Sequence, residues 1–163
     1  MERMDLGVLQ MSNNRILVVC LGNICRSPAF EIILKDVLKK KRYENVVVES
    51  RGLSQRQAGK KIDSRIAEEL TKRGYTMALP EKVSQLISKE DFFTFDYLFA
   101  VDQQVLDALN QMKPSDSKAV VDLVSCWSPD REEIFDPYKE TDERMRQCID
   151  LIEKHANHLV SHL

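Results

Sequence analysis

The sequence predicts an α/β fold, a three-layer sandwich with a four-stranded central parallel sheet. Two observations support this prediction. Four short apolar runs rich in β-branched residues recur along the chain, and amphipathic helical patterns lie between them. Strands without a polar face are typical of a parallel sheet that helices cover on both sides. Strand and helix alternate along the chain, as they do in doubly wound sheets.

The four apolar runs are the predicted strands. Because each run lacks a polar face, we expect every strand to be buried on both sides. The runs are Ile16–Cys20, Val46–Glu49, Tyr97–Val101 and Ala119–Leu123.

Four helices are predicted between and after these strands. Pro28–Lys41 follows Ser27, which is a favourable N-cap residue, and Pro28 stands at a favoured first position. A second helix is expected after Asp63 and ends before Gly74. The remaining two are Gln103–Leu109, capped by Asp102, and a long closing helix, Thr141–Val160.

Length and composition favour one ordinary globular domain. The chain has 163 residues, of which 43% are hydrophobic and 31% charged, and its net charge is −2. This charge gives no reason to expect nucleic acid or an anionic membrane as a partner. No apolar run approaches the roughly 20 residues that cross a bilayer. We expect residues 1–13 to form a flexible tail and residues 14–163 to form a single domain, monomeric and cytoplasmic.

The four cysteines of the chain have three possible roles: disulfide partners, metal ligands or reactive thiols. The N-terminal segment carries Glu2 and Asp5 and lacks a long apolar stretch, so it does not resemble a signal peptide. Reduced thiols are therefore expected. The spacing of the cysteines does not indicate a metal site, and the three histidines near the C-terminus indicate a solvated helix end. The cysteines are Cys20, Cys25, Cys126 and Cys148.

The segment between the first strand and the first helix contains the candidate catalytic residues. Cys20 ends the strand, Arg26 follows after five residues, and Gly22 and Asn23 between them tolerate left-handed backbone. A loop so placed directs backbone N–H groups and the helix dipole at one point. The predicted phosphate-binding loop is Leu21, Gly22, Asn23, Ile24, Cys25 and Arg26, and its setting favours the thiolate form of Cys20.

These residue types suit transfer of a phosphoryl group. Arg26 can hold two oxygens of a phosphate ester and so screen it from an anionic nucleophile. Cys20 can then attack phosphorus in line. Asp136, in the segment FDPYK, is the candidate that supplies a proton to the leaving oxygen. A spacing of five residues between Cys and Arg is weak support alone, and the strand before it and the helix after it strengthen the prediction.

The segments VCLGNICRSP at 19–28, ISKEDFFTFDYLFAVD at 87–102 and DPY at 136–138 resemble the low molecular weight protein tyrosine phosphatases. The resemblance implies an α/β sandwich and hydrolysis of phosphotyrosine and small aryl phosphates through a cysteinyl-phosphate, without cofactor or metal. It also implies an acid phosphatase activity that phosphate and vanadate inhibit, with phosphotyrosine-containing proteins or peptides as substrates.

The resemblance also implies roles for individual residues. Cys20 would be the nucleophile, Arg26 would bind the phosphoryl group, and Asp136 would act first as general acid and then as general base. Asn23 would brace the loop, and Ser50 would support Asn23. Ser27 would donate a hydrogen bond to the Cys20 thiolate. Cys25 would be able to form a protective disulfide with Cys20.

The sequence departs from the family pattern around the predicted substrate rim. Arg56 stands where the family often has an aromatic residue, and Lys82 replaces a common histidine after an apparent insertion around 78–81. Tyr138 is followed by Lys139 rather than by a second tyrosine. We therefore predict a rim formed by Arg56, Lys82 and Tyr138 that is more basic than usual.

Three alternative functions remain open from the sequence alone. An arsenate reductase of the same fold would need further, closely spaced cysteines. A phosphoarginine phosphatase usually carries Thr at the position of Ile24. A phosphotyrosine-binding module without catalysis would be expected to lose Cys20 or Asp136, and both are present.

Overall fold

A computed structural model describes residues 14–75 and 82–163. The predicted tail, residues 1–13, and the apparent insertion around 78–81 lie outside these ranges. Within them four strands form one parallel sheet in the order β2-β1-β3-β4. The strands are β1 (Asn14–Cys20), β2 (Val46–Gly52), β3 (Tyr97–Ala100) and β4 (Val120–Leu123).

Helices cover both sides of this sheet, so the predicted fold class is confirmed. Among the described residues they are α1 (Arg26–Lys40), α2 (Ser64–Lys72), the one-turn α3 (Asp91–Thr94), α4 (Gln103–Met112) and α5 (Asp142–Val160). Helix α1 packs on β1 and β2 and against α5, while α4 packs on β3 and β4. In the described part of the chain, no helix combines the length and apolar character needed to cross a bilayer.

The prediction that all strands are buried on both faces is right for the centre of the sheet and wrong for its edges. Strand β1 is buried at all but one position, and β3 is buried throughout. The edge strands β2 and β4 have one partner each, and Val47 and Val120 are 37% and 50% exposed. Apolar composition alone does not show which strand lies at an edge.

Two of the three predicted helix caps are confirmed by hydrogen bonds. Asp63 accepts from the N–H groups of Arg65 and Ile66, and Asp102 accepts from that of Val105. Thr141, predicted as the first residue of the closing helix, is instead its cap and accepts from the N–H of Arg144. The third predicted cap was wrong. Helix α1 begins at Arg26, two residues earlier than expected, and Ser27 lies inside its first turn. The hydroxyl of Ser27 is thereby free to point towards β1.

The sheet brings the end of β2 against the loop that follows β1. Cys20 and Gly52 are partners in the parallel register, and the N–H of Leu53 donates to the carbonyls of Cys20 and Leu21 at 3.1 and 2.9 Å. A Cβ atom on Gly52 would lie 2.9 Å from the carbonyl carbon of Gly22. This contact requires glycine and holds the loop close to the sheet.

Candidate active site

Residues 20–26 form the floor of a pocket at the carboxyl edge of the sheet. Asn23 has a φ of 58°, the left-handed conformation expected for this loop. Its N–H donates to Sγ of Cys20 at 3.1 Å, so the loop curls around the thiol. The pocket has a volume of about 210 Å³, and Cys20, Arg26 and Asp136 all line it.

Arg26 is buried and fixed in place from two sides. Its Nη1 donates to Oδ2 of Asp102 at 2.7 Å and to the carbonyl of Ile134 at 2.9 Å. Burial opposes its charge, but Cys20 and Asp102 outweigh burial and raise the pKa of Arg26 above its usual value. The guanidinium is therefore a permanent, oriented cation beside the thiol.

Asp136 lies across the pocket from the loop on the segment before α5. Its Oδ2 is 3.8 Å from Nη2 of Arg26, its Oδ1 accepts from the N–H of Tyr138 at 3.0 Å, and its side chain is 49% exposed. Arg65 supports this segment by donating to the carbonyls of Pro137 and Glu140. The Asp136 carboxyl group therefore lines the pocket and also reaches solvent.

Beneath the loop, three predicted supporting residues lie in contact. The amide nitrogen of Asn23 donates to the hydroxyls of Ser27 and Ser50 at 2.7 and 2.9 Å. The Ser27 hydroxyl is 3.0 Å from Sγ of Cys20. All three are at most 1% exposed. Their hydrogen bonds tie the loop to both β2 and α1.

Lys82 is a correction to the predicted rim. Its ammonium is 2.9 Å from Oε1 of Glu31, and its side chain is only 14% exposed. Lys82 is not among the residues that line the described pocket. Glu31 in turn accepts from the Ser50 hydroxyl at 2.6 Å, so Lys82 belongs to the support under the loop. A buried carboxylate on α1 draws the lysine inwards, and the sequence pattern did not reveal this partner.

The rim is formed by the segment after β2 and the segment after Asp136. Arg56 and Tyr138 line the pocket as predicted, and Tyr138 is 43% exposed. Lys139 lines it too, with its ammonium 5.6 Å from the centre of the Tyr138 ring. Leu21, Ser54 and Gln57 complete the wall. Among the described residues, the rim thus has one aromatic ring and two cations.

The other cysteines differ from Cys20 in setting. All four cysteines of the chain are free thiols. Cys25 also lines the pocket, but burial and the nearby Asp63 raise its pKa well above the usual value. Burial raises the pKa of Cys126 and of Cys148 to about 12. At neutral pH these three sulfurs are protonated.

Sequence reasoning missed two residues of the site. Asp102 was predicted only as a helix cap, yet its second oxygen accepts from Arg26. Its place two residues after the end of β3, at the same edge of the sheet as Cys20, is the signal that could have shown this. Glu31 was not singled out at all. It lies four residues after Ser27 on α1, a spacing that puts both side chains on one face of the helix.

Sequence comparisons with known proteins give one family for this chain. The family model described as "Low molecular weight phosphotyrosine protein phosphatase" matches residues 15–163. A protein of that name from Schizosaccharomyces pombe is 36% identical over 155 residues, 91% of this chain and 97% of the relative. The protein of that name from Homo sapiens is 32% identical over 86% of this chain and 92% of the relative.

Solved structures give the same result for the fold. The structure of a low molecular weight phosphotyrosine phosphatase from Vibrio cholerae O395 matches with a TM-score of 0.83 and 32% identity, over 91% of this chain and 95% of that one. A protein tyrosine phosphatase from Entamoeba histolytica, with Hepes in the active site, matches with a TM-score of 0.81 and 31% identity, over 91% and 95%.

Proposed function

The chain belongs to the low molecular weight phosphotyrosine protein phosphatase family, and from that premise we propose how its residues hydrolyse phosphotyrosine. The observation that carries the proposal is the placement of Cys20, Arg26 and Asp136 around one pocket. A cradle, a nucleophile and an acid are the three parts that hydrolysis of a phosphate monoester needs.

Binding comes first. The phosphate dianion enters the loop, where backbone N–H groups and the N-terminus of α1 surround its oxygens. The planar guanidinium of Arg26 takes two of these oxygens in a bidentate contact. Asp102 and the carbonyl of Ile134 hold that guanidinium at 2.7 and 2.9 Å, so little reorganisation is needed on binding.

The first chemical step transfers the phosphoryl group to sulfur. The Cys20 thiolate forms an S–P bond as the bond from phosphorus to the phenolic oxygen breaks. Protonated Asp136 gives its proton to that oxygen, and neutral tyrosine leaves. Ser27, 3.0 Å from Sγ, is positioned to donate to the thiolate before attack.

The second step regenerates the enzyme. Asp136, now ionised, takes a proton from a water molecule that attacks phosphorus. The S–P bond breaks, Cys20 leaves as a thiolate, and inorganic phosphate departs. Because phosphate fits the same cradle, we expect phosphate and vanadate to be competitive inhibitors.

A comparison of three substrates tests this assignment. Turnover of phosphotyrosine, phosphoarginine and arsenate is measured side by side on the same preparation. We expect phosphotyrosine to be hydrolysed with a kcat/KM far above that of phosphoarginine, and arsenate not to be reduced. Preferred turnover of phosphoarginine, or reduction of arsenate with thiol as electron donor, would contradict the assignment.

The residues of the rim indicate which phosphotyrosine substrates the enzyme prefers. Tyr138 offers one aromatic face to the phosphotyrosine ring, and Arg56 and Lys139 place two cations at the mouth. We propose that the preferred phosphotyrosine has acidic residues beside it in a protein or peptide substrate. We further propose that the enzyme works as a monomer in the cytoplasm, where a reducing environment keeps Cys20 active. Sedimentation of the purified chain tests the monomer.

A further inference from the structure

The turn that follows Asp136 is held to the rest of the protein by one side chain. In the described part of the chain, every hydrogen bond that links residues 137–140 to another segment comes from Arg65. Its Nη1 donates to the carbonyl of Glu140 at 2.6 Å, and its Nη2 donates to the carbonyl of Pro137 at 3.2 Å. The guanidinium therefore binds both ends of the turn.

The backbone of this turn adopts a conformation that needs support. The N–H of Glu140 donates to the carbonyl of Pro137 at 2.9 Å, which closes the turn on itself. Inside it, Lys139 has a φ of 65°, in the left-handed region that residues with a side chain rarely adopt. Such a conformation persists where the surrounding structure holds it. Arg65 supplies that hold, because it fixes the carbonyls on either side of Lys139.

The turn in its turn orients the carboxyl group of Asp136. Oδ1 of Asp136 accepts from the N–H of Tyr138, which lies inside the turn, at 3.0 Å. Oδ2 is then 3.8 Å from Nη2 of Arg26. Because the Asp136 side chain is half exposed, packing does little to orient it. The direction of its carboxyl group depends on the position of the Tyr138 N–H, and hence on the turn.

Arg65 is itself attached to the phosphate loop. Asp63 caps α2, and its N–H donates to the carbonyl of Ile24 in that loop at 2.8 Å. The side chain of Asp63 accepts from the N–H of Arg65 at 3.0 Å. The first turn of α2 thus contacts the phosphate loop through its backbone and the segment after Asp136 through a side chain. It links the nucleophile and the acid across the pocket.

We propose that Arg65 is a positioning residue for Asp136: by binding the carbonyls of Pro137 and Glu140, it holds the general acid over the phosphate loop. The inference rests on the proposed function, because it assigns a role in proton transfer. A planar guanidinium suits this role, since its separate N–H groups reach two carbonyls at once. Arg65 is not among the residues that line the described pocket, so it acts through the turn and not on the substrate.

The test compares two substrates that differ in their need for a proton. The full chain, in excess over substrate, is mixed with phenyl phosphate or p-nitrophenyl phosphate, and release of the phenol in a single turnover reports the first chemical step alone. We expect Arg65→Met to slow release from phenyl phosphate about tenfold and release from p-nitrophenyl phosphate at most about twofold, because only the first leaving group needs the acid. Inhibition by inorganic phosphate should not change, since the cradle stays in place.

Arg73→Met is the matched control. Arg73 follows α2 at its other end and ties it to α5 through Asp150 at 2.8 Å and Glu153 at 2.9 Å. It makes no hydrogen bond to residues 137–140 in the described part of the chain. This variant should unfold at a lower temperature and release both phenols at the parent rates.

A second control removes the ion pair that Arg65 makes. Nη1 of Arg65 is 3.2 Å from Oδ1 of Asp142, whose side chain is largely exposed, so the pair contributes little to stability. Asp142→Asn abolishes the pair and leaves both carbonyl contacts of Arg65. Its rates should match those of the parent with both substrates.

A double-mutant comparison separates positioning of the acid from a general effect on the fold. Asp136→Asn has no acid to position, so adding Arg65→Met should cause no further loss with phenyl phosphate. An equal further loss in that background, equal losses for the two substrates, or weaker inhibition by phosphate would overturn the proposal. If Arg65→Met does not fold, Arg65→Gln is measured in its place, because its shorter side chain keeps the helix polar but cannot span both carbonyls.

The parent chain shows whether the proposed function or this inference has failed. A parent that releases neither phenol nor p-nitrophenol would refute both. A parent that releases both phenols, together with an Arg65→Met variant that loses no more with phenyl phosphate than with p-nitrophenyl phosphate, would refute the role of Arg65 alone.

Discussion

At the scale of single residues, Asp136 makes the clearest prediction about chemistry. Asp136→Asn removes the proton donor while leaving the phosphate cradle in place. We expect kcat for phosphotyrosine to fall about a hundredfold or more. The loss for p-nitrophenyl phosphate should be much smaller, since p-nitrophenolate leaves without a proton. Steady-state kinetics on both substrates measures the difference.

Glu140→Gln is the control for this prediction. It removes an exposed carboxylate from the same segment, whose backbone carbonyl accepts from Arg65. The activity of this variant should match the parent. Equal losses for the two substrates in Asp136→Asn would remove Asp136 from the role of acid.

Cys25 makes a second prediction, about oxidation. We expect peroxide to convert the Cys20 thiolate to a sulfenic acid, releasing hydroxide. The Cys25 thiol should then condense with the sulfenic acid to a disulfide, releasing water. We expect mild peroxide to inactivate the enzyme, dithiothreitol to restore it, and bound phosphate to protect it. Cys25→Ser should stay active but become irreversibly inactivated, because its Cys20 oxidises on to the sulfinic acid.

The pH dependence of this disulfide has a definite sign. Burial, and then the charges of Asp63 and Cys20, raise the pKa of Cys25, so its reactive thiolate is scarce at neutral pH. Disulfide formation should therefore become faster as pH rises, by about tenfold per unit while Cys25 is mostly protonated. Cys126→Ser is the control and should behave like the parent. Complete recovery of oxidised Cys25→Ser with dithiothreitol would show that Cys25 only packs.

The residues of the cradle were predictable because they are local in sequence. Cys20 and Arg26 share one loop, and the strand before it and the helix after it are visible in the sequence pattern. Partners that come from elsewhere were not predictable. The contacts of Arg26 with Asp102 and of Glu31 with Lys82 join positions separated by dozens of residues, and only the packed fold brings them together.

At the scale of the elements, the junction of β2 with the phosphate loop sets the geometry. Gly52→Ala would place a methyl group within 2.9 to 3.0 Å of backbone atoms of Gly22 and Asn23. The loop must then move away from the sheet, so we expect kcat/KM for p-nitrophenyl phosphate to fall about tenfold or more, since small displacements at a site are costly. Steady-state kinetics and thermal unfolding of the same preparation measure the effect.

Gly74→Ala is the control for Gly52→Ala. Gly74 follows α2 with a φ of 94°, and an added Cβ would meet no atom within 4 Å. Gly74 is also not among the residues that line the pocket. This variant should lose about 1 kcal/mol of stability and keep its activity. A Gly52→Ala enzyme with unchanged kcat/KM would show that the loop does not depend on this contact.

The positions of the strands and helices were largely predictable from the sequence. Which strands lie at the edges of the sheet, and where helix α1 starts, were not. The spacing of apolar residues located four strands and four helices, because that spacing follows from which side of each element is buried. The start of α1 was misplaced because Ser27 is a good cap residue by type, yet its hydroxyl is used by Asn23 and Cys20 instead. The exposure of β4 was missed because strand order is a property of the assembled sheet.

At the scale of the whole molecule, we expect the distribution of charge around the pocket to affect substrate preference more than the net charge does. The chain carries a net charge of −2, but Arg56 and Lys139 both line the pocket. We expect phosphopeptides with acidic flanks to have a higher kcat/KM than matched peptides with basic flanks. The ratio should shrink at high ionic strength, because salt screens exposed charges.

Two variants connect this preference to the rim. Arg56→Gln and Lys139→Gln should each reduce the preference, whereas Lys40→Gln, at the far end of α1, should not. Kinetics at two salt concentrations measures the ratio. An acidic-to-basic ratio near one in the parent enzyme, at low salt, would remove the rim from substrate choice.

The most direct test of the proposed mechanism is capture of the covalent intermediate. The enzyme is mixed with phosphotyrosine, quenched within one turnover, and its peptides are examined by mass spectrometry for a phosphoryl group. We expect the group on Cys20, and we expect Cys20→Ser to bind vanadate but neither to become phosphorylated nor to turn over substrate. A phosphoryl group on another residue, or appreciable turnover by Cys20→Ser, would contradict the mechanism.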